Sequence, residues 1–333
     1  MTRLVVIGGS SGAIQPLLAL LHPLPRDLPA AMLVVIHGSS RRGGGLPRVL
    51  SRSSGLPVKE AEDGEEIRAG RVYVAMPDRH LLVGDGHVRV VRGPRENGFR
   101  PAVDPLFISA ASAYGPSVIG VLLSGSLDDG TYGLAAIKEQ GGIAIVQEPS
   151  EALFPSMPLS ALRSVEVDHV VPVPEISVLL ERLARSPATT QGVPSEPEGE
   201  GVGGRTAEPS ATTPKVSVYT CPDCGGSLWE VERGGVRRYR CRVGHAFGPE
   251  TLLARQRNRI EAALWSALRA LEEQASLSDR MALQARESGW EALHREYEAR
   301  ARAARERAQD IQDLLALGKR LSGEMEGQDP SAD

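Results

Sequence analysis

Leu4-Val5-Val6-Ile7-Gly8-Gly9-Ser10-Ser11-Gly12-Ala13 constrains the fold more than any other stretch of the chain. Four consecutive aliphatic residues suit a strand buried on both faces, a setting that needs helices above and below it. The glycines that follow permit an abrupt reversal, and Ile14, Leu17, Leu18 and Leu21 then recur at helical spacing. Strand, turn and helix in that order put a hydroxyl, that of Ser10, at the bend. Gly8 to Gly12 also fit G-x-S-x-G, in which a serine is presented on a strained turn with backbone N–H groups near enough to hold an oxyanion. A phosphate-cradling turn is the alternative, but the middle glycine of G-x-G-x-x-G is here Ser10.

From residue 1 to about 185 short aliphatic runs alternate with helical periods, which predicts an α/β domain built on a mostly parallel, doubly wound sheet. Leu33-Val34-Val35-Ile36 reads as a second buried strand ending at His37, and the basic, glycine-rich run from Gly38 to Gly45 reads as a mobile surface loop. Residues 71–75 and 80–91 read differently, since 71–75 alternate and 87–91 follow a Gly84-Asp85-Gly86 turn, so an antiparallel hairpin is expected there beside the parallel sheet. Residues 118–123 form another strand, running into Ser124-Gly125-Ser126-Leu127-Asp128-Asp129-Gly130. Later strands are expected at 143–146 and 170–173, with a helix through Ala135, Ile137 and Lys138 ahead of the first.

Ser10, His37 and Asp129 therefore each follow a buried strand, where open α/β sheets place their sites. If the strands are parallel, the three emerge at one edge. A serine hydroxyl is barely ionised at neutral pH, so a histidine must take its proton as it attacks, and a buried carboxylate orients that histidine and stabilises the imidazolium. The plainer readings are a packed strand-end histidine and an aspartate pair serving as turn or N-cap residues. An α/β-hydrolase order, Ser10, Asp129, His169, fits poorly because only one strand precedes the serine.

Residues 3–185 resemble the catalytic domain of the CheB family, the protein-glutamate methylesterases of bacterial chemotaxis. The likeness runs through 7–12, Val35-Ile36-His37, 59–64, Arg100-Pro101-Ala102-Val103-Asp104-Pro105-Leu106-Phe107, 123–130 and Phe154-Pro155-Ser156-Met157-Pro158. It implies Ser10 as nucleophile, His37 as base and Asp129, rather than Asp128, as orienting acid. The oxyanion would be held by backbone N–H groups after Ser10, that of Ser11 at the helix start. Arg100 and Met157 would contact substrate, with a surface ion pair as the alternative for Arg100. No cofactor is needed for catalysis. The implied substrate is a glutamate γ-methyl ester of a methylated chemoreceptor or receptor-like sensor, with glutamine deamidation as a second activity and a receptor methyltransferase or separate regulator as further partners. The family's His-Met-Pro and Gly-Met-Gly-Asn-Asp-Gly are here His37-Gly38-Ser39 and 125–130, so both methionines are lost and the pocket wall differs. The first strand begins at residue 3, so no phospho-receiver domain is expected ahead of it and no control by phosphorylation in cis.

The rest of the chain has a different character. Residues 186–215 are rich in Pro, Gly, Ser, Thr and Glu and read as a flexible linker. Cys221, Cys224, Cys241 and His245 then form C-x2-C, sixteen residues, C-x3-H, and they account for all three cysteines of the chain. Four soft or borderline ligands in two close pairs suit a structural, tetrahedral Zn²⁺ in a ribbon over 216–248. Residues 249–322 carry two apolar stripes, Ile260, Leu264, Leu268, Leu271, Ala275 and Leu293, Tyr297, Ala301, Ala304, Ala308, Ile311, with a break near Ser288-Gly289. A helical hairpin or coiled coil is expected there, paired within the chain or forming a homo-oligomer, before a disordered tail at 323–333.

A net charge of −4 supplies no basic field for nucleic acid, although Arg237, Arg238, Arg240 and Arg242 keep a nucleic-acid ribbon or an acidic partner surface open. No apolar run is long enough to span a bilayer or to serve as a secretion signal, so no membrane insertion and a cytoplasmic location are expected. The competing functional reading is a catalytically degenerate adaptor that binds partners through the ribbon and helices.

Overall fold

The computed structural model describes residues 3–38, 45–187 and 213–326, without the side chains of 318–326. The expected loop at 38–45, the 186–215 linker and the 323–333 tail thus fall largely outside the described residues. The chain divides into two units, Met1–Leu253 and Ala254–Asp333.

The first unit begins with β1 (Arg3–Gly9), α1 (Ile14–Leu21), β2 (Ala30–Ile36), α2 (Gly45–Ser53), β3 (Val58–Glu60) and β4 (Val72–Val74). A hairpin, β5 (His80–Gly84) and β6 (His87–Val91), precedes α3 (Val103–Tyr114), β7 (Val118–Leu122), α4 (Thr131–Glu139), β8 (Ile143–Gln147), α5 (Ser156–Ser164), β9 (His169–Val171) and α6 (Val173–Arg185). The sheet has seven strands in the order β3-β4-β2-β1-β7-β8-β9. Every pairing in it is parallel. Because a strand alternates its side chains, Val5 and Ile7 join Leu17, Leu20 and Leu180 in one core, while Leu4 and Val6 join Phe107, Leu134 and Ala161 in the other. Helices thus cover both faces, as the aliphatic runs demanded.

Two expectations need correction. Residues 71–75 do not belong to the hairpin: β4 pairs in parallel with β2 and β3, and the antiparallel pair is β5 with β6 alone. Val72, Tyr73 and Val74 are all buried, which marks an interior strand rather than a half-exposed one. Gly8 and Gly9 also lie inside β1 rather than in the turn. Gly8 is small because α3 crosses there: an added Cβ would lie 2.2 Å from Val103 Cγ1.

Still in the first unit, β10 (Lys215–Thr220), β11 (Ser227–Arg233), β12 (Val236–Cys241) and β13 (Ala246–Phe247) form a four-stranded antiparallel sheet. It packs on α4, where Val231 and Val236 meet Tyr132 and Ala135. Arg238 is buried, paired with Glu96 and stacked 4.9 Å above the Tyr132 ring, so it is no surface cation for a nucleic acid.

The second unit is made of α7 (Pro249–Glu287), which begins in the first unit, and α8 (Glu291–Glu326). They run in opposite directions around Gly289, whose φ is +76°. Leu268, Ala308 and Leu315 pack together with Leu264, Leu271 and Ile311, and Asp279 pairs with Arg305. Leu264, Leu268 and Leu271 of the first predicted stripe thus meet Ala308 and Ile311 of the second, while Ile260 is exposed. No helix among the described residues is long and apolar enough to cross a membrane.

Candidate active site

β2, β1 and β7 are adjacent and parallel, and the chain turns to opposite sides of the sheet on leaving β1 and on entering β7. That reversal opens a crevice at the carboxyl ends of the strands. Ser10 follows β1 and His37 follows β2, and their predecessors Gly9 and Ile36 are partners in the ladder. The His37 N–H donates to Gly9 O at 3.1 Å, so the backbones of the two residues are tied together at the rim.

The Ser10 turn is clamped to the loop after β7. Ser10 N–H donates to Ser124 O at 3.0 Å, and Ser124 Oγ donates to Ser11 O at 2.9 Å. Gly12 has φ +74°, and a Cβ there would lie 2.8 Å from Ser124 Oγ, so glycine is required twice over. Ser10 is partly exposed and Ser11 exposed. Ser11 belongs to this turn, not to the helix, which starts at Ile14. Met157 forms the floor: it is fully buried, and its Sδ and the Ser10 Cβ both close on the space that a side chain at Gly125 would fill.

Asp129 reaches across from the loop after β7 to meet His37. Asp129 Oδ2 accepts from His37 Nε2 at 2.6 Å, with both side chains almost wholly buried. Three further donors hold the carboxylate: Val103 N–H to Oδ2 at 2.7 Å, Asp104 N–H to Oδ1 at 3.1 Å and Asn97 Nδ2 to Oδ1 at 2.7 Å. The first two come from the N-terminal turn of α3, whose free N–H groups favour an anion. Burial pushes the Asp129 carboxyl up, but the His37 hydrogen bond and charge, with the Val103 and Asn97 donors, outweigh it and hold the group down at about 2.

An ionised carboxylate can only accept, so the proton between the two groups sits on His37 Nε2. In the neutral ring this leaves Nδ1 as a lone-pair base, and Nδ1 is buried without a hydrogen-bond partner. The ring is held flat against Phe99, with centroids 3.9 Å apart and planes within 10°. The Ser10 hydroxyl makes no hydrogen bond to Nδ1 in this state. The structure therefore joins His37 to Asp129 directly and sets Ser10 beside them on the neighbouring strand end.

Arg100 is engaged elsewhere. Its Nε and Nη2 donate to Asp78 Oδ1 at 2.9 and 2.6 Å and its Nη1 to Gly93 O at 2.6 Å, the ion-pair alternative raised from the sequence. Sequence reasoning gave no role to Asn97, Phe99 or Asp104. Asn97 Nδ2 bridges Asp129 Oδ1 and Asp104 Oδ2, the latter at 3.0 Å. Burial, reinforced by the Asp129 charge, pushes the Asp104 carboxyl well above the usual range. Asp104 Oδ1 in turn accepts from Gly130 and Gly133 N–H at 3.0 and 2.8 Å, fixing the start of α4 just after Asp129. Asp104 lies within the run that carried the family resemblance, and that was the available signal.

A family model described as CheB methylesterase matches residues 5–180, more than half of the chain. The chain belongs to the CheB methylesterase family. It is 42% identical over 183 residues to protein-glutamate methylesterase/protein-glutamine glutaminase 2 of Anaeromyxobacter dehalogenans, covering 55% of this chain and 54% of that one. A shorter relative from Leptospira interrogans is 40% identical over 180 residues, which are 54% of this chain and 93% of its own length. The crystal structure of the Thermotoga maritima CheB methylesterase catalytic domain superposes with a TM-score of 0.53 at 35% identity, over 55% of this chain and 99% of that one. This chain thus spans about half the length of the Anaeromyxobacter relative, and the family match ends before β10.

The second cluster lies in the antiparallel sheet. The ligand atoms of Cys221, Cys224, Cys241 and His245 all lie within 4.8 Å of one another. Cys224 Sγ is 3.7 Å from Cys241 Sγ, and His245 Nδ1 is 3.7 and 3.6 Å from the sulfurs of Cys221 and Cys241. A tetrahedron with metal–sulfur bonds of about 2.3 Å has edges of roughly this length, so the donor set fits a four-coordinate ion.

Proposed function

We propose that the chain is a protein-glutamate methylesterase that hydrolyses glutamate γ-methyl esters of a chemoreceptor or receptor-like sensor, with glutamine deamidation as the parallel reaction. The observation that carries this reading is the buried 2.6 Å contact between His37 Nε2 and Asp129 Oδ2, which leaves Nδ1 as a base one strand away from Ser10. In the proposed reaction Ser10 Oγ attacks the ester carbonyl carbon as Nδ1 takes its proton, a contact that closes when substrate is bound. The tetrahedral oxyanion is held by backbone N–H groups of the Ser10 turn, Ser11 among them. Collapse breaks the bond to the methoxy oxygen, which leaves as methanol with the proton from His37. Water then gives a proton to His37 and its oxygen to the acyl carbon, and Ser10 leaves reprotonated with the free glutamate as product. Asp129 stays ionised throughout and stabilises the imidazolium.

The same reading assigns residues 1–185 to ester hydrolysis, 216–248 to a ribbon holding a structural Zn²⁺ and 249–322 to a helical hairpin or coiled coil. Cys221, Cys224, Cys241 and His245 would hold the ion, which would tie the hairpin ends together and supply no step of the reaction. A cytoplasmic setting suits a receptor's signalling end and three reduced cysteines. A separate regulator or receptor methyltransferase would complete the system.

Methanol release from methylated receptor by the full chain tests the activity, with Ser10→Ala as control. Loss of release by a factor on the order of 10⁴ or more is expected. Unchanged release would remove Ser10 from the mechanism, and an inactive parent chain would favour the adaptor reading. Zinc analysis should give about one ion per chain, lost in Cys221→Ser.

A further inference from the structure

The Asp129 carboxylate is not supported by the parallel-sheet fold alone. Asn97, which donates to it, is itself clasped from the other side by β13 and the residues after it. Asn97 N–H donates to Ala246 O at 2.7 Å, and Asn97 Oδ1 accepts from Gly248 N–H at 2.8 Å. Asn97 is 1% exposed and has φ +51°, so both its side chain and its backbone are committed to this arrangement. Its neighbour Glu96 pairs with the buried Arg238 of β12 and bridges to Ala246. Asp128, adjacent to Asp129, accepts from Glu250 N–H at 2.9 Å, Thr251 N–H at 3.2 Å and Thr251 Oγ1. Gly248 passes so close that a Cβ would lie 2.2 Å from Asp128 Oδ2.

Residues 246–251 begin directly after His245, and Cys241 N–H donates to His245 O at 2.9 Å, closing the turn between two members of the thiol–imidazole cluster. Withdrawal of this segment would leave buried donors and acceptors of Asn97 and Asp128 unpaired, so segment and site move together.

We propose that residues 246–251 are a working part of the hydrolase site: they position Asn97 and Asp128, hence the Asp129 carboxylate, and a metal ion at Cys221, Cys224, Cys241 and His245 holds them there. The ribbon is then a brace that makes hydrolysis depend on metal loading, with Asn97 as the positioning residue through which the brace acts. This rests on the hydrolase reading above.

Hydrogen exchange on the full chain, read without substrate, tests the brace separately from the activity. Stripping zinc with a chelator, and the Gly248→Ala variant, are each expected to speed exchange of the Val103 and Asp104 amides about tenfold or more while β1 and β8 stay protected. Methyl-ester hydrolysis should show kcat down by about 10- to 100-fold with KM nearly unchanged, and zinc should restore the stripped chain. Should Gly248→Ala lose the protection of β1 as well, His245→Ala, which adds no bulk against Asp128, gives the same comparison. Amide exchange at 103 and 104 indifferent to zinc and to these variants would overturn the brace. An inactive parent chain would overturn the hydrolase reading, while the exchange data would still decide this one.

Discussion

A Cβ on Gly8 would lie 2.2 Å from Val103 Cγ1, so the strand that presents Ser10 and the helix end that holds Asp129 meet through an absent side chain. Gly8→Ala forces the two apart in a core with no slack. Overpacking of this kind costs about 1–3 kcal/mol, to be read from a denaturant midpoint. Because Val103 N–H also donates to Asp129, methanol release should fall beyond what the loss of folded protein explains.

Asp129→Asn keeps the size of the side chain and reverses its hydrogen-bonding character. An amide can donate to Nε2, which moves the ring proton to Nδ1 and removes the lone pair proposed to take the Ser10 proton. By analogy with the same exchange in serine proteases, kcat should drop by a factor on the order of 10⁴ with KM little affected. Steady-state kinetics on a methylated receptor fragment checks it, and a loss under tenfold would mean that another group orients His37.

The Asp129 carboxyl should titrate at about 2 in the folded protein, followed by its carboxyl carbon in NMR spectra. The sign for stability follows from linkage. A carboxyl held below its unfolded value of about 3.9 contributes stability that is fully present above that value and is lost as pH falls through about 2. Acid unfolding of the parent chain should therefore steepen between about pH 4 and pH 2 relative to Asp129→Asn, which lacks this titration. His37→Ala removes the largest opposing influence and leaves burial against the Val103 and Asn97 donors, so the Asp129 midpoint should move upward in that variant.

The placing of Ser10 and His37 at strand ends, and of Asp129 in the loop after β7, was legible because parallel strands bring such ends to one rim whatever the loops do. The thiol–imidazole cluster was legible because its members come in local pairs. Residues 71–75 were misplaced because alternation over a few residues does not separate a buried parallel strand from a hairpin arm; the distinction lies in what packs on Tyr73. Asn97 and Asp104 were out of reach for another reason. Their importance comes from partners far along the chain, Asp129, Gly133 and Gly248, and no local period records such meetings. The contacts of 246–251 with Asn97 and Asp128 were hidden in the same way, behind a stretch of sequence that reads as a boundary between independent modules.

The central strand of the sheet is also the first to be made. Leu4 pairs with Ala31 on one side and with Val118 on the other, so β1 can be half-matched early, but its second edge waits for most of the unit to be synthesised. Contacts of such long sequence separation form slowly, and until β7 docks, β1 offers an open, aliphatic edge of the kind that invites aggregation. On the ribosome, the Ser10 turn is thus built long before the Ser124 loop that clamps it.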